Sequence, residues 1–383
     1  MTSTNGWALV PLGEAVTHRK EFVQIDDLST YKRCRVQLHA QGVVLRDEVE
    51  GSLIKTKSQQ VCRTNEFLVA EIDAKMGGFG LVPTELEGAV VSSHYFLFSP
   101  KLDRLDPQFL GYYCRTPAFR EQVTSRGTTN YAAIRPSHVL GYTIPLPPLE
   151  EQRRIVARID RLAAKINNAN ALSRQCDLIS DSLLLAAYHE IAEVAPRKPL
   201  GEVAPLIRRP AEIDTLGEYP QVSVRSFGRG TFHNPPLQGS EITWQKPYLV
   251  HAGDILVSNI KAWEGAIAVA GPDDDSRYGS HRYLTFVPVA GVATANFLCF
   301  HLLSSEGLLY VGEASPGSAD RNRTLSAKKM LEIPVPVPPI EQQQRFDALL
   351  AKVTTTRAVR TQATSARDAM LPSILDRAFK GAL

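Results

Sequence analysis

Residues 149 to 195 contain neither glycine nor proline, and the apolar positions Ile155, Ile159, Leu162 and Ile166 recur at spacings of four, three and four. That rhythm predicts a long helix with a coiled-coil stripe. Leu172, Cys176, Ile179 and Leu183 carry it on after a phase shift, and Pro196 ends it. A second helix is predicted from Phe346, Leu350 and Val353 to the end of the chain. Its stripe is weaker, because Thr354 to Thr356, Arg357 and Arg360 interrupt it, and Pro372 predicts a kink or a new first turn. At ~1.5 Å per residue, some forty residues make a rod of ~60 Å. Outside the helices the pattern shortens. Phe67 to Ile72 and Asp254 to Ile260 read as strands bounded by turn residues, Ala89 to Phe98 and Ser280 to Phe286 as second strands, and Asp73 to Gly80 and Lys261 to Gly265 as the loops between. Helical patches around Pro107 to Val123 and Thr294 to Leu309 close each set.

The whole pattern occurs twice. Pro145 to Ile155 (PLPPLEEQRRI) returns at an offset of 191 as Pro336 to Phe346 (PVPPIEQQQRF), and Ser182, Ala187 and Tyr188 match Ser373, Ala378 and Phe379 at the same offset. Pro11 to Glu14 returns as Pro199 to Glu202 at an offset of 188. That shift also pairs Tyr31 with Tyr219, Gly51 with Gly239, Leu68 with Leu256 and Ile72 with Ile260. One constant shift over some sixty residues marks a duplicated domain. Each proline segment fixes an extended backbone and leads into a helix whose first turn carries carboxylates at the positive end of its dipole. The reading is an α+β chain of two similar mixed α/β domains, residues 1–148 and 196–339, with long helices at 149–195 and 340–383. An order of domain, rod, domain, rod is satisfied most simply by antiparallel rods and an internal pseudo-twofold axis. Two like domains on a spacer suit the reading of two short stretches of a polymer, as dimeric DNA-binding proteins do with half-sites ~34 Å apart per helical turn.

Composition changes little. With 44% hydrophobic and 22% charged residues the chain is ordinary globular material, and a net charge of +3 is silent about nucleic acid. The five cysteines, Cys34, Cys62, Cys114, Cys176 and Cys299, are scattered with no C-x-x-C pair, which indicates neither a disulfide framework nor a zinc site. The start MTSTNGWALV lacks a basic patch followed by an apolar core, and no apolar run approaches the ~18 residues of a membrane span, so the expectation is a soluble cytoplasmic protein. Enzyme-like strings are decoys. Asn234-Pro235-Pro236-Leu237 lacks the aromatic that stacks on a flipped base. Asp73-Ala74-Lys75 has no convincing acidic partner upstream and is replaced by Lys261 and Trp263 in the second copy. No P-loop, H-E-x-x-H or nucleophile elbow appears.

The paired proline-helix segments, the IDAKMGGFG loop followed by AVVSSHYFLF, and the closing SILDRAFKGAL together resemble the specificity subunit of type I restriction-modification enzymes over essentially the whole chain. The resemblance implies two target recognition domains, each reading half of a bipartite asymmetric site in double-stranded DNA. It implies that the helices carry two methyltransferase subunits, that restriction subunits join that core, and that this phage-defence complex methylates adenine N6. S-adenosylmethionine then belongs to the methyltransferase partner, and ATP and Mg to the restriction partner. The chain itself is expected to have no catalytic residue, metal or cofactor. The first helix departs from the pattern by ending AAYHEIAEVA, and the proline exits differ as IPLPP and IPVPVPP.

If the domains bind DNA, the readers are Arg, Lys, Asn, Gln, Ser and His on loops beside the paired strands. In the first domain these are Lys55, Lys57, Lys75, Ser92, Ser93, His94, Thr128, Asn130, Tyr131 and Arg135. In the second they are Arg225, His233, Asn259, Lys261, Trp263, His281, Arg282, Arg321, Asn322 and Arg323. Arg321 to Arg323, backed by Lys328 and Lys329, is the densest basic cluster and favours phosphate. His94 and His281 stand one residue off the main offset, each after a serine. Partner-binding positions on the helices are Ile155, Ile159, Leu162, Ile166, Phe346, Leu350 and Val353. Three rivals remain open at this point: a self-sufficient methyltransferase or nuclease, which would need the missing cofactor loop or metal cluster, a specificity subunit of a related defence methylation system, and a protein-binding scaffold without DNA.

Overall fold

The proline segments form short strands before they become helices. Thr143–Pro145 pairs antiparallel with Leu9–Pro11, and Pro334–Pro336 with Arg197–Pro199. These are isolated two-stranded pairs, where a missing donor is tolerated. Leu12 N donates to Tyr142 O at 2.7 Å and Leu200 N to Ile333 O at 2.8 Å, so the repeated Pro-Leu-Gly-Glu fastens the start of each domain to its end. The computed structural model describes residues 6–124, 133–242, 246–317 and 322–382. It divides into one unit of residues 1–173 with 361–383 and a second of residues 174–360. The boundary falls within the two long helices, Leu149–Ala192 and Ile340–Phe379.

In the first unit, a four-stranded antiparallel sheet has the order Val16–Arg19, Tyr95–Pro100, Phe67–Ala70, Phe79–Leu81. A five-stranded sheet has the order Phe22–Gln24, Ser58–Val61, Val90–Val91, Thr30–Gln37, Gly42–Glu50. The run Phe67–Ala70 is apolar throughout because both of its faces are covered. Phe67 and Val69 join the core beneath the helical segments, whereas Leu68 and Ala70 join the core shared with Cys34, Val36 and Val43 of the long hairpin. The second unit repeats this. Ile255 and Val257 face one core, and Leu256 faces Val222 and Val224. Its sheets run Ile267–Val269, Ile255–Ser258, Tyr283–Phe286 and Thr231–Gln238, Glu218–Val224, Arg277–Gly279, Tyr248–Val250. Bridges at Leu206 and Pro210 stand where the first unit has full edge strands.

The matched residues have local reasons. A Cβ on Gly51 would lie 1.9 Å from Asp26 O, and one on Gly239 1.8 Å from Asp214 O. The amides of the same two aspartates donate to the Tyr31 and Tyr219 hydroxyls at 3.0 and 2.7 Å. Gly77 and Gly265 take left-handed φ of 78° and 74° and end short 3-10 turns. Each turn receives the hairpin tip: His39 N and Ala40 N donate to Met76 O and Gly77 O, as Phe227 N and Gly228 N do to Glu264 O and Gly265 O. The matched glutamines of the proline-helix motif are fully buried clamps. Gln152 accepts from Asp106 N and donates to Arg104 O and Pro147 O. Gln343 accepts from Thr294 N and donates to Val292 O and Pro338 O.

Within each unit the two helix segments run antiparallel. In the first, Phe379 meets Phe109 and Tyr113 at 5.0 and 5.1 Å between ring centres, and Arg367 bonds Asn170 at 2.8 Å. In the second, Phe346 meets Phe297 at 5.7 Å beside Tyr188, and Arg357 and Arg360 pair with Asp181 and Asp177 at 2.7 and 2.8 Å. Those pairs explain the interrupted stripe of the terminal helix, since its arginines face aspartates. Three expectations are corrected. Ala89 to Phe98 is not one strand: Tyr95 N bonds Ser92 O, and the turn sends Val90–Val91 and Tyr95–Pro100 into different sheets. Ser280 to Phe286 is likewise a turn followed by Tyr283–Phe286. The terminal helix also continues through Pro372, so that residue does not begin a new first turn.

Candidate nucleic-acid interface

In the first unit three loops meet at Glu71. Its amide donates to His94 O at 2.8 Å, its carbonyl accepts from Ile134 N at 3.0 Å, and its carboxylate lies 2.7 Å from His94 Nδ1. Ser92, Ser93 and His94 form one of these loops, Lys75 sits in the adjoining 3-10 turn, and Arg135 follows Ile134 at the start of helix Pro136–Leu140. Ser93, His94 and Arg135 are exposed, and Lys75 is half-buried. Lys55 lies instead at a cleft that shares Ser92 with this region. Lys57 is drawn inward, bonding Asp27 and, at 2.7 Å, the carbonyl of Gly51, so it braces the glycine turn and is not a free reader.

The second unit builds the same junction from different side chains. Asn259 N donates to Arg282 O at 2.8 Å and Asn259 O accepts from Leu325 N at 2.6 Å. The junction therefore equates Glu71 with Asn259 and His94 with Arg282, both at an offset of 188. His281, one residue off that offset, is not the counterpart of His94, and its carbonyl receives Arg208 at 3.0 Å. Arg282 and Asn322 are exposed. Trp263 lies beneath Arg323 at 4.7 Å and beside Lys261 at 5.3 Å. Arg323 also donates to Ser315 O and Gly312 O at 3.3 Å each, closing the carbonyl end of helix Ser305–Glu313, and so positions its loop instead of extending to phosphate. Lys261 bonds Glu264 at 2.7 Å, and that hydrogen bond holds the Glu264 carboxyl below the usual range.

Arg225 and His233 belong to the hairpin and not to the junction. The Arg225 guanidinium holds Thr231 O at 2.5 Å and lies 4.7 Å over the Phe232 ring. His233 Nε2 is 2.8 Å from Asp274 Oδ1. Burial works to raise the Asp274 carboxyl, but hydrogen bonds from His233, Gly271 N and Thr231 outweigh it and hold the group low. Thr128, Asn130, Tyr131 and Arg321 lie outside the described residues.

Sequence reasoning missed Glu71 as the organiser of the junction. It also missed two ion pairs under the sheets: Arg19 forks onto buried Glu66 at 2.5 Å, and Arg209 onto buried Asp254 at 2.7 and 3.2 Å. Glu66 and Asp254 stand 188 apart, which was the available signal. On the helices, Ile155, Ile159 and Phe346 are buried in their own units, so they are core residues and not partner contacts. Leu350 and Val353 pack beside Phe346, and Leu162 and Ile166 are half-buried.

Comparison with known proteins gives residues 19–175 as a match to the family described as Type I restriction modification DNA specificity domain. The fold is similar to that of the HsdS subunit from Thermoanaerobacter tengcongensis, at 22% identity and a TM-score of 0.58, covering 99% of this chain and 97% of that one. It is also similar to a chain solved in work on complex assembly and conformational transition of the type I R-M system, at 21% identity, a TM-score of 0.69 and 98% of both chains. A third likeness is the type I restriction-modification S subunit from M. genitalium, at 13% identity, a TM-score of 0.50 and 99% of both chains. These likenesses bear out the α+β class. Curated protein sequences give no match. Among the described residues no helix is long and apolar enough to cross a membrane.

Proposed function

We propose that the chain is a specificity subunit of type I restriction-modification systems, that it serves to recognise DNA sequence, and that each of its two units reads one half of a bipartite asymmetric target. The observation that carries the division is the paired junction. Its backbone bonds are the same in both units, Glu71 to His94 and Ile134 in one and Asn259 to Arg282 and Leu325 in the other, while the side chains differ. A constant frame with exchanged polar groups is what two different half-sites require, because base edges are told apart by donor and acceptor pattern. His94, Ser93 and Arg135 are the first unit's readers; Arg282, Asn259 and Asn322 are the second's.

The chemistry lies in the partners. The long helices carry two methyltransferase subunits that methylate adenine N6 with S-adenosylmethionine, and restriction subunits supply the ATP- and Mg-dependent cleavage. This chain contributes recognition and assembly, in the cytoplasm, and catalyses nothing itself. Mapping adenine methylation in host DNA with and without this gene, beside its methyltransferase partner, tests the reading. A two-part methylated motif should vanish on deletion. Methylation unchanged by deletion, with the partner expressed, would refute it. A base change in either half should weaken binding by about 1–3 kcal/mol.

A further inference from the structure

The first unit carries two arginines that its repeat does not match, Arg33 and Arg46. Between the long hairpin and the segment after Gly51 lies a cleft of about 330 Å³. Arg33, Arg46 and Lys55 line it, above an apolar floor that includes Ile54 and Val91. Hairpin register sets Arg33 opposite Asp47, and the guanidinium forks onto that carboxylate at 2.6 Å through both nitrogens. The Arg33 hydrogen bond holds Asp47 below the usual carboxylate range, so one positive charge is answered. Arg46 approaches Asp47 only at 3.6 Å and is 58% exposed, and Lys55 is exposed with no ion pair among the described residues. Two cations are therefore left over at the mouth of a concave site. At the offset of 188 the second unit has Gln221 in place of Arg33 and Asn234 in place of Arg46, and Asn234 bonds Ser223 at 2.8 Å.

We propose that this cleft is a phosphate site that takes one backbone phosphate of duplex DNA, with the apolar floor against the deoxyribose, and that it anchors the first unit alone. The proposal rests on the DNA-reading role above and adds a contact that is blind to sequence. Ser92 lies in both the cleft lining and the loop that carries His94, so the anchor and the reader are one continuous surface. Phosphate contacts fix register and orientation, and base contacts specify. An anchor in one unit gives an asymmetric duplex a defined direction on a scaffold whose halves are otherwise alike.

The test is DNA binding by the full chain in its native complex, measured across salt concentrations, with Arg46→Ala/Lys55→Ala compared with Gln221→Ala/Asn234→Ala. Arg33 is kept because its ion pair braces the hairpin. The first double variant should bind cognate and half-site-altered duplexes about tenfold more weakly at moderate salt. The salt slope should fall by about 1. The preference for cognate over altered duplexes should not change, and the second double variant should leave the slope alone. A single uncharged methylphosphonate in the duplex should reproduce the loss at one position. An unchanged slope with discrimination intact overturns the cleft and spares the reading role. Loss of inorganic phosphate binding in the variant without any change in the DNA slope would assign the cleft to a free anion and likewise overturn it. Wild-type complex that binds DNA without discriminating half-sites would instead refute the reading role.

Discussion

The two units share a frame and differ in what the frame holds, most clearly where a long helix ends on its domain. In the first unit Phe379 stacks beside Tyr113 at 5.1 Å; in the second, the matching places hold Tyr188 and His301, joined by a hydrogen bond of 2.6 Å between the hydroxyl and Nδ1. Both arrangements bury an aromatic pair, so the packing is common and the titration is not. The same division runs through the molecule. The glycine turns, the buried glutamines and the junction bonds are common, whereas the cleft cations and the loop side chains are not. Duplication preserves what the backbone needs and lets side chains diverge, buried ones such as His301 as well as those that face outward.

The harshest test of the common frame is Gly51→Ala beside Gly239→Ala. Each added methyl would collide with a main-chain carbonyl that cannot swing away. Each should cost about 4 kcal/mol or more, seen as loss of the cooperative unfolding transition of its unit. Tolerance of one and not the other would break the equivalence. The next test exploits the difference. Burial lowers the His301 imidazole to about 4, against about 6.5 in the unfolded chain. Between these values the unfolded chain binds the proton and the folded one does not. Stability is therefore full above pH 6.5 and declines as pH falls towards 4, by about 3 kcal/mol. Unfolding at stepped pH should show this decline, and His301→Tyr with Tyr188→Phe, which installs the first unit's pair, should abolish it. A pH profile left unchanged by that swap would refute the assignment. Smaller again is Gln152→Ala or Gln343→Ala, each of which leaves one amide and two carbonyls without their partner. The expected cost is about 2 kcal/mol each in denaturant midpoints, and markedly unequal costs would show that the clamps are not equivalent.

The helices and the duplication were legible because periodicity and offset are properties of neighbouring residues. Ile155 and Ile159 could be read as a buried stripe, but not as belonging to their own domain, since Leu375 and Phe379 arrive from more than two hundred residues away. The run Ala89 to Phe98 is β-rich from end to end, and only the pairing of its halves with different sheets exposes the turn at Ser92. Lys57 and Arg323 were named for their charge, and each is claimed by groups on another segment: Asp27 in one case, the carbonyls of Gly312 and Ser315 at the end of the preceding helix in the other. Gln152 was visible as a match, yet its role needs the amide of Asp106. The cleft was half legible. Lys55 was named, and hairpin register would have added Arg33 and Arg46.

The finest distinction lies in the helix seams. The second unit closes its seam with charges, Arg360 on Asp177 at 2.8 Å and Arg357 on Asp181 at 2.7 Å, at sites 22–62% exposed. The first unit uses an amide, with Asn170 accepting from Arg367 at 2.8 Å and donating to Asp368 at 3.1 Å. Solvent and salt screen the former, and side-chain entropy opposes it, so each pair should contribute less than about 1 kcal/mol. A double-mutant cycle with Asp177→Asn and Arg360→Gln should give a coupling below that bound, shrinking further between 0.05 and 0.5 M salt. The corresponding cycle at Asn170→Ala and Arg367→Gln should respond less to salt, because one partner is neutral. Equal salt dependence in both cycles would mean that the two seams, unlike the helix ends and the clefts, do not differ in their electrostatics.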